Sequence, residues 1–221
     1  MSDPAAAGPA SLLFVAGIGA GSACLGQLLE LLLPRVLPRL ASRGAAGLRI
    51  TTAAATFGLG ALLAWRFGAS AELPAYLVLA IIAVQLARID LIHHLLPNRL
   101  VLPLLGAGLL LLSVAAAAAG GVGDLLRGAA GSATMFVLYL ILALTSRNGL
   151  GMGDVKLAAP PGLHLGYLGW SQLFYGGALG FVAGGVASLI VVLNNRGNKP
   201  TEVAYGPAML GAGLAVILAL H

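Results

Sequence analysis

Cysteine is nearly missing from this chain. The single example among 221 residues, Cys24, excludes an internal disulfide and any paired-cysteine zinc site. Its place within an apolar run reads as that of a small buried hydrophobe. Charge is scarce as well: Asp, Glu, Lys and Arg make up 9% of the residues, against about 25% in soluble domains. So thin a supply cannot cover a water-facing surface. Nor is there a basic stripe interleaved with aromatic residues, so the excess of twelve Lys and Arg over seven Asp and Glu does not point to nucleic acid. The first nine residues, MSDPAAAGP, hold no Lys or Arg. A secretory leader needs a positive segment ahead of its apolar run, so the first apolar run is expected to be a retained span.

What the chain does have is apolar length. Hydrophobic residues make up 59% of it, with a mean hydropathy of +0.98, and stretches long enough to cross a hydrocarbon core of about 30 Å fill most of it. An all-α, polytopic membrane protein follows. Eight spans are expected: Ala10–Leu33, Ile50–Trp65, Leu73–Ile89, Leu100–Ala119, Leu125–Thr145, Val155–Trp170, Leu173–Leu193 and Val203–Leu220. The sixth is short because Pro160-Pro161 should break or kink it, and it is a candidate re-entrant segment. Glu30 near the end of span one reads as a snorkelling acid or an interfacial partner for Arg35. His93-His94 reads as a polar interface rather than a metal site, since adjacent helical residues diverge. His164 is expected to be a lone hydrogen-bonded histidine near the outer surface.

Orientation follows from counting. With eight spans, Arg35, Arg39, Arg43, Arg49, Arg88, Arg99, Arg147, Lys156, Arg196 and Lys199 fall on one side, leaving only Arg66 and Arg127 for the other. This asymmetry makes the first side cytoplasmic and puts both termini outside.

Of the seven acids, Asp3, Glu72 and Asp124 fall in outward segments, and Glu202 sits in an inward polar loop near Lys199. Asp90 closes span three and Asp154 opens span six, both at the cytoplasmic membrane edge. Packing of those spans would bring the two together. Carboxylates that share a site do not both ionise easily, so one keeps a proton near neutral pH. With a water between them, such a pair can hydrolyse an amide: the carboxylate activates the water and the acid protonates the carbonyl oxygen. The plainer alternative pairs Asp90 with Arg88 or Arg99, and Asp154 with Lys156, as interfacial charges.

Asp154 lies in NGLGMGDVK (148–156), where Gly149, Gly151 and Gly153 lead into the acid. Glycines there suit a positive φ, a helix-packing face or close backbone approach. A dinucleotide fingerprint is excluded because no strand or βαβ unit surrounds it. A phosphate-binding Walker loop is excluded because Lys156 lacks the GxxxxGK spacing.

GMGDVKLAA (151–159) resembles the second signature of the type IV prepilin peptidases, GxGD-type aspartic proteases of bacterial membranes. IDLIHHLLPNRLVLPLL (89–105) resembles their first signature. AYGPAMLGAG (204–213) resembles a late glycine-proline segment, and GAGSACLGQLLELLLPRVLPR (19–39) resembles an N-terminal stretch. The resemblance implies a single transmembrane peptidase domain over 1–221, in the bacterial inner membrane, with Asp90 and Asp154 as the catalytic pair. Gly151 and Gly153 would allow close approach to an extended substrate, and Lys156 would anchor at the interface or tune the pair. It also implies type IV prepilins or pseudopilins as substrates, cut after a short basic leader at the cytoplasmic face, with no cofactor. Larger members carry an insert with two CxxC pairs after the first span and also N-methylate the product. The short, cysteine-free connector here resembles the peptidase-only branch. Pro160-Pro161 departs from the family pattern.

Two other readings remain open at this stage. A channel or transporter would need polar residues near mid-span, where this chain is almost wholly apolar. An inactive relative serving as an assembly subunit of a pilus or secretion system would keep the same motifs.

Overall fold

The computed structural model describes residues 9–36, 46–145, 151–194 and 204–220. Arg39, Arg43, Arg147, Asn148, Gly149, Arg196, Lys199, Glu202 and Asp3 lie outside the described residues. Within them are eight α-helices: α1 Pro9–Val36, α2 Ala46–Phe67, α3 Leu73–His93, α4 Asn98–Ala119, α5 Val122–Thr145, α6 Met152–Leu168, α7 Trp170–Asn194 and α8 Gly206–Ala219. Six of them, α1 to α5 and α7, are long and apolar enough to cross a membrane, and α8 is a shorter apolar helix. Apolar side chains such as Leu13, Leu110, Leu144 and Phe174 are exposed along these helices, as lipid-facing positions require. The chain is an all-helical polytopic membrane protein.

The helices form two compact units, 1–85 and 86–221, with the boundary inside α3. In the first unit, Gly19 of α1 lies against Phe57 of α2, and Gly26 lies against Thr56. Lipid gives helices little hydrophobic reason to associate, so small residues that permit close packing take over. Gln85 Nε2 of α3 donates to the Gly26 carbonyl at 3.0 Å. Glu30, with its side chain 7% exposed, pairs with Arg49 Nε at 3.5 Å, rather than with the expected Arg35. Arg49 belongs to the next helix, which comes alongside α1 at that depth. Cys24 is exposed, not buried as its apolar neighbours suggested.

In the second unit α6 is the centre, with α4, α5, α7 and α8 packed against it. Every residue from Leu157 to Tyr167 is buried. A Cβ on Gly131 of α5 would come within 2.7 Å of the Gly162 carbonyl oxygen, and one on Gly162 within 2.8 Å of the Gly131 oxygen. The two backbones therefore touch, and only glycine fits on either side. At the far end of α6, Arg127 Nε donates to the Gly166 carbonyl at 2.8 Å and Nη2 donates to that of Tyr167. Asp124 Oδ1 holds the same guanidinium at 2.9 Å. Carbonyls at a helix C-terminus lack intrahelical donors, and Arg127 supplies them from the neighbouring helix.

Pro160-Pro161 does not break this helix. The two prolines remove the amide donors that would serve the carbonyls of Lys156 and Leu157, yet α6 runs through them to Leu168. Surrounding helices enforce its path, the circumstance in which membrane helices tolerate proline. His164 is hydrogen-bonded, as expected. It is fully buried, its Nδ1 bonds the Pro160 carbonyl at 2.8 Å, and its ring occupies the space left by Gly108 of α4.

Candidate functional site

Asp90 and Asp154 both belong to the second unit. Asp90 lies in the last turn of α3 and is 5% exposed. Beyond it the helix is closed by His94, whose N–H donates to the Asp90 carbonyl at 2.8 Å and whose φ of 49° is left-handed. A short connector then reaches Pro97 and the start of α4.

Asp154 is the third residue of α6, with Gly151 at the N-cap. Its Oδ2 accepts the Gly151 N–H at 3.2 Å. This is the half of a capping box that a glycine cap permits, a carboxylate reaching back to an amide that the helix leaves unserved. A negative group also suits the positive end of the helix dipole.

Gly206, the first residue of α8, completes the arrangement. Its N–H donates to Asp90 Oδ2 at 3.0 Å in a buried hydrogen bond. Pro207 follows and has no N–H of its own. A Cβ there would sit 2.8 Å from Asp90 Oδ2 and 3.2 Å from Leu157 Cδ2. Leu157 is three residues past Asp154, so Gly206 lies between the end of α3 and the first turns of α6. Each aspartate thus commits Oδ2 to a glycine N–H. The carboxylates are also near enough for the charge of Asp90 to act on Asp154.

The other residues singled out in the sequence frame this pair. A Cβ on Gly153 would lie 3.1 Å from Leu96 Cβ, so Gly153 lets the start of α6 close on the connector that follows Asp90. Gly151 has an extended backbone, and Gly153 is not among the described positive-φ glycines. Close approach is therefore what Gly153 supplies, and in this structure the approach is to the chain itself. Lys156 Nζ donates to Asn98 Oδ1 of α4 at 3.3 Å.

Sequence reasoning did not assign Gly206, Leu96 or Asn98 to the site. The signal for Gly206 was present in AYGPAMLGAG as a glycine before a proline, the usual grammar of a helix start. Nothing in that grammar says which carboxylate the amide will meet. Among the described residues no group of three His, Cys, Asp or Glu side chains is placed to hold a metal ion.

A family model described as the type IV leader peptidase family matches residues 75–193, a stretch that includes both aspartates. Curated relatives named prepilin leader peptidase/N-methyltransferase include one from Stutzerimonas stutzeri, 33% identical over 162 residues, covering 72% of this chain and 54% of the relative. Another from Pseudomonas aeruginosa is 32% identical over 166 residues, covering 74% and 56%. A third, from Aeromonas salmonicida, is 36% identical over 151 residues, covering 65% and 48%. The chain spans about half the length of these relatives. No solved structure matches it significantly.

Proposed function

The chain belongs to the type IV leader peptidase family, and from that premise we propose that it is an aspartic endopeptidase removing the basic leader of type IV prepilins or pseudopilins. The observation that supports this reading is that Gly206 touches both Asp90 at the end of α3 and Leu157, one turn past Asp154, on α6. Each carboxylate is pinned through one oxygen by a glycine N–H, and each has a second oxygen for water or substrate.

Two carboxylates in one another's field hold a single proton between them more readily than two isolated ones. The ionised partner takes a proton from water as the water oxygen attacks the scissile carbonyl carbon. The protonated partner gives its proton to the carbonyl oxygen. Collapse of the tetrahedral intermediate expels the amine, which leaves with a proton from the pair. Gly151 leaves room for an extended peptide beside Asp154, Gly153 lets the connector after Asp90 close on the start of α6, and Lys156 fixes the start of α6 to α4.

The charge count puts this site at the cytoplasmic side of a bacterial inner membrane, with both termini outside. The whole of 1–221 serves as one peptidase domain. Methyl transfer is not part of the reading, because the connector between α1 and α2 is short and contains no cysteine. No cofactor and no nucleic acid enter it.

The test is co-expression with a candidate prepilin, following leader removal by a gel mobility shift. Asp90→Asn and Asp154→Asn should each abolish the shift while the protein still inserts. Persistent cleavage by either variant would overturn the assignment.

A further inference from the structure

Glycine inside a helix is less favourable than alanine, so a buried mid-helix glycine needs a reason. Gly184 of α7 is buried and has one: a Cβ there would overlap the ring of Tyr205, within 2.5 Å of Cδ2 and Cζ. Tyr205 is the N-cap of α8 and is itself buried. One turn away in each helix, a Cβ on Gly180 would lie 3.4 Å from Met209 Cα. The two helices thus run antiparallel at close range, and the Tyr205 ring fills a notch that α7 leaves at Gly184. The ring also meets that of Tyr139, buried on α5, edge to face with centroids 6.0 Å apart and planes at 67°.

The backbone of Tyr205 is also part of the site. Its carbonyl accepts the Met209 N–H at 3.2 Å, in the first turn of α8. The Gly206 N–H belongs to the same planar, trans peptide unit, in which C=O and N–H point in opposite directions. With the carbonyl turned into the helix, the N–H points out of its start, where it donates to Asp90 Oδ2 at 3.0 Å. Whatever fixes the Cα of Tyr205 therefore aims that N–H. Gly206 has no side chain to anchor it, so its neighbour supplies the anchor.

We propose that Tyr205 is a positioning residue for Asp90: its ring, seated at Gly184 and against Tyr139, holds the peptide unit whose N–H grips the carboxylate. The seat is steric, so the ring and not the hydroxyl is what matters. This rests on the peptidase reading above for its consequence in catalysis, but not for the aim of the amide.

The amide can be followed by NMR without turnover, using the full chain in detergent micelles. A tyrosine precedes a glycine only at Tyr175-Gly176 and Tyr205-Gly206, so carbonyl-labelled tyrosine with nitrogen-labelled glycine isolates two amide resonances. Asp90→Ala should move the Gly206 resonance and speed its exchange with deuterium. Gly184→Ala, which pushes the ring from its seat, should move it the same way. Exchange should quicken roughly tenfold or more, the scale of a lost hydrogen bond to a charged group, with Gly176 unchanged. Gly185→Ala, which meets nothing within 4 Å, should leave both resonances as in the wild type.

Cleavage rates are measured on a synthetic peptide with a Lys/Arg-rich leader, a glycine before the scissile bond and an apolar segment after it. Gly184→Ala and Tyr205→Val should lower kcat roughly tenfold or more, with KM little changed. Tyr205→Phe, which keeps the ring, should recover most of that loss. A Gly206 resonance and exchange rate left at wild-type values by Gly184→Ala overturn the inference, as does a wild-type kcat in Tyr205→Val. If the wild type leaves the peptide intact, the peptidase reading falls, and the resonance alone decides the role of Tyr205. If Gly184→Ala does not accumulate, Tyr205→Val, labelled at valine and glycine, decides by the same resonance.

Discussion

The amide of Gly206 and the carboxylate of Asp90 meet at 3.0 Å although 116 positions of sequence separate them. The bond joins the start of α8 to the end of α3, and it leaves no space at the glycine Cα for a side chain. Three short segments therefore converge on the two acids: the α3–α4 connector, the N-terminus of α6 and the N-terminus of α8. Two of these are helix starts, where backbone amides lack internal partners and favour negative charge.

Gly206→Ala would put a methyl group 2.8 Å from Asp90 Oδ2. The carboxylate must move or the start of α8 must shift. Displacement of a reacting group by about 1 Å costs roughly a hundredfold in rate, so leader removal should fall by that order while membrane insertion is retained. Wild-type cleavage by this variant would show that the contact does not matter.

Gly151 and Gly153 should respond differently to alanine. At Gly153 the new Cβ meets Leu96 at 3.1 Å, whereas at Gly151 the nearest atom, Asp154 Oδ2, is an ordinary 3.5 Å away. Gly153→Ala should therefore reduce activity clearly more than Gly151→Ala. Side-by-side cleavage rates at equal protein level settle the order.

The crossing of α5 and α6 should be intolerant of a single methyl. Gly131→Ala meets the Gly162 carbonyl oxygen at 2.7 Å, and overpacking of this kind costs about 1–3 kcal/mol. Gly185→Ala, which meets nothing within 4 Å, serves as the control. Thermal unfolding in detergent should show a lower midpoint for the first and no change for the second.

Arg127 should not be replaceable by lysine. Its guanidinium serves two carbonyls of α6 and Asp124 together, a fork that an ammonium cannot reproduce. Arg127→Met and Arg127→Lys should both destabilise the protein, by about 1–3 kcal/mol for the carbonyls left without donors. If the lysine variant unfolds at the wild-type temperature, charge alone suffices there.

The helices were legible because hydrocarbon length writes itself directly into composition: α1 to α5 and α7 fall where the apolar runs put them. Asp90 and Asp154 were legible because charge is rare enough for each acid to need a reason. Which side of a helix meets protein and which meets lipid was not legible, since both surroundings are apolar. Cys24 was expected inside and is exposed. The same blindness hid the tight α5–α6 contact, so Pro160-Pro161 looked like a break in a helix that in fact continues through both prolines to Leu168. Long-range pairings such as Glu30 with Arg49 or Gly206 with Asp90 depend on how helices sit side by side, which periodicity in one chain does not encode.

The link from Gly206 to Asp90 also sets an order of events during synthesis. A chain emerging from the ribosome delivers Asp90 with α3 and Asp154 with α6, but the amide that holds Asp90 arrives only with α8, the last helix described. Until then Asp90 lacks the donor that fixes its carboxylate. That arrangement is thus completed only once α8 has been made, and a nascent chain halted before α8 carries both acids without the amide that holds one of them in place.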